Sequence, residues 1–492
     1  MALVNGGELR VRALCVATKT ILLILVTAVA FSGCARKDKV KPGVVTTEPV
    51  ELTIWRAADS HESFERIIEQ YRSERPNVNI NYVHNPAWKN DPELYLKDTI
   101  EALATGKGPD IWSVRNDWLP GQINKMQAAA NDVLSTHTKD ENLKNKNNTE
   151  FIREAFVPVV GENVVFGDKV YGLPLSVDSL ALYLNTDMME DVGVEIENKN
   201  RTSAALMPEE VKELKTILVK GPKNWTEVMK IVPYITVRQG TTITRAAIAM
   251  GLGKNIEQAP NIISSLLLQN NTKIVTDDNS AANFQNSTET AGGTIEYPGQ
   301  GAIKFYTYFS NPRTQVYSWN EGDFTQGARR AFMNGQLAMI IEDSSFYATL
   351  KASNIKFGFS VVNMPQINPE SPRSYANYWV ETVTNNSRHP EIAWDFLIKS
   401  ATTNAVGGYL SNTKRPPALK EKTGEYDEGA SDLDVFKGQA QAAESWYKGA
   451  EPNIADQIFR NWADNIALSG MSQAEATNTA ASQLTSILQN KR

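Results

Sequence analysis

Residues 50–82 read VELTIWRAADSHESFERIIEQYRSERPNVNINY, and the spacing of their apolar side chains changes period twice. Val50, Leu52 and Ile54 alternate as in a strand, whereas Phe64, Ile67, Ile68 and Tyr71 fall at i, i+3, i+4 and i+7 of a helix. Pro76 stops that helix, and Val78, Ile80 and Tyr82 alternate again. Strand, helix and strand in this order pack best as a right-handed parallel crossover. The unit then repeats once. Leu96, Ile100, Leu103 and Ala104 share a helical face, Gly106-Lys-Gly-Pro109 ends it, and Asp110-Ile-Trp-Ser-Val114 follows as a strand. The fold class is α/β.

Further along, Tyr171-Gly-Leu-Pro-Leu-Ser176 and Ala181-Leu-Tyr-Leu184 read as extended pieces around a polar turn containing Asp178, a candidate hinge. Residues 195–221 are charged and read as a surface insertion holding one short helix over Glu209–Leu218. Ser264–Leu268 and Ile303–Phe309 read as buried helix, and Leu337-Ala-Met-Ile-Ile341 as a buried strand ending in Glu342 and Asp343. Phe357, Phe359 and Val361 alternate as another strand. Ile454, Ile458, Trp462 and Ile466 form a helical stripe, and Ser472-Gln-Ala-Glu475 opens a last helix as a capping box.

The chain has 492 residues, 22% charged and 41% hydrophobic, enough for more than one domain at roughly 100–200 residues each. No collagen, heptad or solenoid period recurs. Fifty basic residues stand against 56 acidic ones and are scattered, so the continuous positive face that holds a nucleic acid is missing. Two cysteines, Cys15 and Cys34, and four histidines give too few soft ligands for a zinc or iron–sulfur centre, and no disulfide framework. Asp277-Asp278-Asn279 lacks the glycine and distal glutamate of a calcium loop and reads as a solvated turn. No P-loop, dinucleotide fingerprint, nucleophile elbow or H-E-x-x-H motif occurs, so no cofactor and no metal is expected. A pair of glycosidase carboxylates would leave no trace in sequence and stays open as an alternative.

Arg10, Arg12 and Lys19 precede the apolar run Ile21–Phe31, which ends in Ser32-Gly33-Cys34. This is the pattern of a signal peptide. About eleven apolar residues reach only some half of a ~30 Å hydrocarbon core, too short for a stable membrane span. Ser32-Gly33-Cys34 resembles the bacterial lipobox, with Phe31 where a smaller aliphatic residue is usual. Cleavage before Cys34 removes three basic residues and one acid, leaving a formal net charge of −8. Residues 35–49 then form a flexible tether between lipid and folded body.

Trp118, Trp319, Trp379 and Trp446 stand among polar residues rather than on apolar stripes. A sugar presents C–H patches between hydroxyl groups; an indole face meets the first, and carboxylates or amides accept from the second. Asp117-Trp118 and Tyr378-Trp379, the latter beside Asn377 and Glu381, offer that mixture.

A series of short segments carries a family likeness. Leu52-Thr-Ile-Trp55, Ala104-Thr-Gly-Lys-Gly-Pro-Asp-Ile-Trp112, Lys169-Val-Tyr-Gly-Leu-Pro-Leu-Ser176, Leu180-Ala-Leu-Tyr-Leu-Asn-Thr-Asp187, Phe332-Met-Asn-Gly-Gln-Leu-Ala-Met339 and Ser445-Trp446-Tyr447 occur in order. In that order and spacing the chain resembles the family 1 extracellular solute-binding proteins, capture subunits of bacterial ABC sugar importers related to maltodextrin-binding protein. The resemblance implies a two-lobe periplasmic-binding-protein-like fold with a hinged cleft. It implies a first lobe from 50–176 and 361–410 and a second from 177–360 and 411–492, after a signal peptide over 1–33 and a lipid-anchored tether over 34–49. Carried over by position, ligand contacts fall on Asp59, Asp117, Trp118, Asp178, Glu342, Asp343, Phe346 and Trp446; Trp379 joins them from its setting alone. Tyr183 fits either the core or the site. The maltodextrin-binding relative has a basic residue in place of Trp118 and a tryptophan in place of Ser345, which implies a different ligand.

The function expected is that of a monomeric, non-enzymatic lipoprotein. Lipidated Cys34 anchors it to the outer face of the cell membrane, and it closes over a carbohydrate and presents it to the transmembrane subunits of an ABC permease. The same fold taking a polyamine, glycerol phosphate or peptide is the alternative, followed by a surface glycoside hydrolase or an adhesin.

Overall fold

The computed structural model describes residues 48–138, 140–421 and 431–489; the leader, Cys34 and nearly all of the tether lie outside these. The ten principal strands are β1 (Val50–Trp55), β2 (Val78–Val83), β3 (Ile111–Arg115), β4 (Met126–Gln127), β5 (Ala181–Asn185), β6 (Val237–Gln239), β7 (Thr242–Ile248), β8 (Leu337–Glu342), β9 (Phe359–Asn363) and β10 (Trp379–Thr384). They form two five-stranded sheets, ordered β2-β1-β3-β10-β4 and β9-β5-β8-β7-β6.

In the first sheet β1 lies parallel to both β2 and β3, as the crossover reading requires, and β10 joins β3 antiparallel from some 270 residues further along the chain. The helix His61–Glu74 buries Phe64, Ile67, Ile68 and Tyr71, the four positions of the apolar stripe. It packs with the helices Pro390–Thr402 and Ala405–Thr413. In the second sheet β8 runs parallel to β7 and antiparallel to β5, which also pairs with β9. All six residues of β8 are buried, as a strand covered on both faces must be.

Two separate apolar cores follow. One draws its residues chiefly from 50–177 and 376–419, the other from 180–375, 433–436 and 446–488. These are the two lobes, and the chain passes between them three times. The passages lie side by side: Ser179 bridges Ala376, Ser374–Tyr375 pairs in parallel with Ala443–Glu444, and the Ala376 amide donates to the Glu444 carbonyl at 2.8 Å.

Two of the expected lobe boundaries sit elsewhere. Residue 361 lies inside β9, a strand of the second sheet, and the second passage comes at 373–378. Ala418 and Leu419, beyond the expected change at 410, belong to the first core. Alternation marks which side chains are buried, not which sheet receives them. The charged segment 195–221 is also more ordered than expected. It is largely a helical hairpin, Thr186–Ser203 and Pro208–Lys220, whose Met188, Met189, Val192, Ile196, Leu214, Ile217 and Leu218 enter the second core. The apolar positions are there, split over two helices by the turn at Ala204 in the left-handed conformation. The last helix, Gln473–Gln489, has the expected Ser472 cap, its hydroxyl accepting from the Glu475 amide at 3.2 Å. No helix among the described residues is long and apolar enough to cross a membrane.

Candidate functional site

A cleft of about 740 Å³ lies between the lobes, beyond the carboxyl ends of β1, β3 and β8, where open α/β sheets place their ligands. On its first-lobe side the chain leaves β1 through Arg56, a fully buried guanidinium. Arg56 donates to Asp59 at 2.6 Å and to Glu381 on β10. Arg415 closes on the other oxygen of Asp59 at 3.1 Å, and the Tyr409 hydroxyl donates to Asp59 at 3.0 Å. Burial alone would push the Asp59 carboxyl up; Arg415 and Arg56 outweigh it and hold this acid below the usual carboxylate range.

On the second-lobe side Asp343 caps the helix Ser344–Ala352, accepting from the Ser345 amide at 3.0 Å. Its other oxygen accepts from the Gln258 amide at 3.0 Å, and Gln258 also donates to Glu342. Glu342 is buried at the end of β8 and receives both prongs of the Arg329 fork at 2.7 and 2.8 Å. Between the lobes, on the first passage, Asp178 accepts from the Ser344 hydroxyl at 2.6 Å and from its amide at 3.2 Å. Burial, then the nearby charge of Asp343, pushes the Asp178 carboxyl up to about 7.

Trp379 is the one aromatic among the expected site residues that faces the cleft. It opens β10 and stands edge-on to Trp118 at 5.7 Å and to Tyr95 at 6.0 Å, so its indole is fixed from behind. Asp59, Asp178 and Asp343 line the cleft with it. Glu342 is one residue behind, joined through Gln258. The remaining expected contacts do not reach the cleft. Trp118 is fully buried beneath Trp379. Phe346 packs edge-on to Tyr183 at 5.4 Å within the second core, which also settles Tyr183 as a core residue. Trp446 stacks on Phe459 at 5.1 Å, and its indole N–H donates to Ser264 at 3.0 Å. Asp117 is enclosed by Arg115 at 2.7 Å and Lys448 at 2.9 Å. Polar neighbours in sequence do not expose an indole, because at a strand end or a tight turn adjacent side chains point in different directions.

Other residues in the cleft wall or directly behind it carried little signal. Arg56 could be found as a charge directly after an apolar strand. Gln258, Asn261, Asn412 and Arg415 could not: Arg415 meets Asp59 across 356 residues of chain. Among the described residues no three acidic, histidine or cysteine side chains converge as a metal site.

A family model described as bacterial extracellular solute-binding protein matches residues 93–423. The chain belongs to that family.

Solved structures agree with the fold of this solute-binding protein. The cyclic α-maltosyl-1,6-maltose binding protein of Arthrobacter globiformis superposes with a TM-score of 0.66 at 18% identity, over 90% of this chain and 100% of that one. The sugar-binding protein MalE of Xanthomonas citri gives 0.67 at 16% identity, over 89% and 97%. The GacH receptor of Streptomyces glaucescens, solved unliganded and with acarbose, gives 0.64 at 16% identity, over 90% and 99%. At these identities the likeness is one of fold.

Proposed function

We propose that this solute-binding protein captures a neutral carbohydrate in the cleft by hinge closure and delivers it to the membrane subunits of an ABC importer. The observation that carries this reading is the balance of the cleft wall. Lys89, Arg115, Arg329, Arg415 and Arg460 stand against Asp59, Asp178, Glu257, Asp343 and Asp456, five basic side chains and five acidic ones. Such a wall supplies charge-assisted donors and acceptors together, which hydroxyl groups satisfy in both directions. Asn261, Asn377 and Asn412 add amides, and Trp379 offers a ring face for C–H patches. A polyamine or a phosphate would want a surplus of one sign. The named ligands of the structural neighbours, acarbose and a cyclic maltosyl-maltose among them, support the same class.

Closure stabilises the complex only through contacts that the open form lacks. The wall is drawn from both lobes and from the passage bearing Asp178, so a bound solute touches all three. The protein works as a monomer and holds its ligand unchanged, anchored through lipidated Cys34. The test is a thermal-shift screen of mono-, di- and oligosaccharides, with polyamines and sugar phosphates as controls, followed by chromatography of each incubated saccharide. A ligand at 100 times its Kd adds about 2.7 kcal/mol of stability. A saccharide hit returned intact is the expected result; a hit confined to polyamines or phosphates, or a cleaved saccharide, overturns the reading.

A further inference from the structure

A second cavity, of about 770 Å³, opens between the lobes beside the passages and shares no lining residue with the cleft. The first lobe contributes Asp117, Glu162 and Phe166, the third passage Glu444 and Tyr447, and the second lobe Thr272. Much of the charge around it is already paired: Arg373 with Glu444 at 2.8 Å, and Lys273 with Asp277 at 2.5 Å. Glu162 and Asp278 are the exceptions, and the Asp278 carboxylate is taken up by the Thr276 and Ser280 hydroxyls. Glu162 lies near Glu444 with no basic partner among the described residues, and partial burial together with that like charge pushes its carboxyl up.

Two further atoms are unmet. Asp117 and Thr272 are each more than nine-tenths buried, and Asp117 Oδ1 and Thr272 Oγ1 have no hydrogen-bond partner. Asp117 spends its other oxygen on Arg115 and Lys448. A ligand matching this wall must bring hydrogen-bond donors and positive charge, and an apolar stretch to lie on the rings of Phe166 and Tyr447. An anion is repelled, and a neutral polyol leaves the repulsion between Glu162 and Glu444 in place. The described residues bring no three ligands together for a metal ion.

We propose that this rear cavity is a second binding site, for an aliphatic di- or polyamine, with an ammonium group between Glu162 and Glu444 and its methylene chain along Phe166 and Tyr447. The proposal makes no use of what the cleft binds. The test is calorimetric titration of the full chain with spermidine at low salt. One equivalent is expected to bind, with affinity unchanged in Trp379→Ala, at least tenfold weaker in Glu162→Gln, and at least threefold weaker in Tyr447→Ala, a substitution that changes no charge. Glu162 is partly exposed and its side chain holds no other element in place, so its variant keeps the native circular dichroism. No binding at millimolar spermidine, or full affinity in Glu162→Gln, overturns the site. Full affinity in Tyr447→Ala reduces it to diffuse attraction by an acidic protein and also overturns it. Loss in Trp379→Ala with retention in Glu162→Gln moves spermidine into the cleft; it overturns this site and, separately, the neutral-solute reading.

Discussion

Asp178 and Ser344 join the hinge to the second lobe: the carboxylate on the first passage accepts from both the hydroxyl and the amide of the residue that opens the helix Ser344–Ala352. The acid is buried and sits near Asp343, and its carboxyl is pushed up to about 7. A folded protein that holds a proton the unfolded chain has released loses stability as pH rises. From this group the stabilisation is complete below about pH 4, the ordinary aspartate range, and is lost by pH 7. The thermal midpoint of Asp178→Asn should therefore fall less steeply than that of the wild type between those limits. Parallel curves for the two proteins would show that Asp178 titrates normally.

Arg56 offers a test of the buried charge network. Removing one partner of a buried pair leaves an uncompensated charge and costs about 3–5 kcal/mol. Arg56→Met leaves Glu381 in that state, while Asp59 keeps Arg415. Urea unfolding should show a loss of this size for Arg56→Met. Adding Glu381→Leu should restore most of it.

Two tryptophans that look alike in sequence should behave differently. Trp379→Ala removes a cleft-facing ring, and a stacked ring contributing about 1.5 kcal/mol changes solute affinity roughly tenfold. Its unfolding midpoint should fall less than that of Trp446→Ala, because part of the ring already faces the cleft. Trp446→Ala empties a packed site against Phe459 and should cost about 3–5 kcal/mol of stability. Calorimetry with the screened saccharide, paired with thermal melts, separates the two; equal affinity loss with equal stability in both would contradict their placement.

The anchor is checked directly. Cells expressing the full chain and fed radiolabelled palmitate should yield labelled protein in the membrane fraction. Cys34→Ser should yield unlabelled protein released by washing. Label persisting in that variant would remove Cys34 from the role.

The first crossover was legible at residues 50–82 because a change of period from 2 to 3.6 and back reports local geometry, which the sequence carries directly. The family likeness, spread over short segments, pointed to a cleft, and Asp59, Asp178 and Asp343 line it. What was not legible depends on pairing over long chain distances. β10 reaches β3 from far along the chain, and that pairing brings Trp379 over Trp118 and buries the latter. Arg415 meets Asp59 for the same reason. Of the helical hairpin at 186–220, the second helix was legible over Glu209–Leu218, whereas the first was not, because lysines and glutamates on one face leave the other free to pack.

The three passages between lobes have a consequence for anyone dividing this protein. Neither lobe is a contiguous stretch of gene: the first needs 48–177 spliced to 376–421, and the second is what remains on either side of that splice. A single protease nick within one passage therefore leaves the two lobes joined by the other two. Truncation alone cannot yield a free lobe, whereas deleting 178–375, joining 177 to 376 through a linker and ending the chain near 421 can.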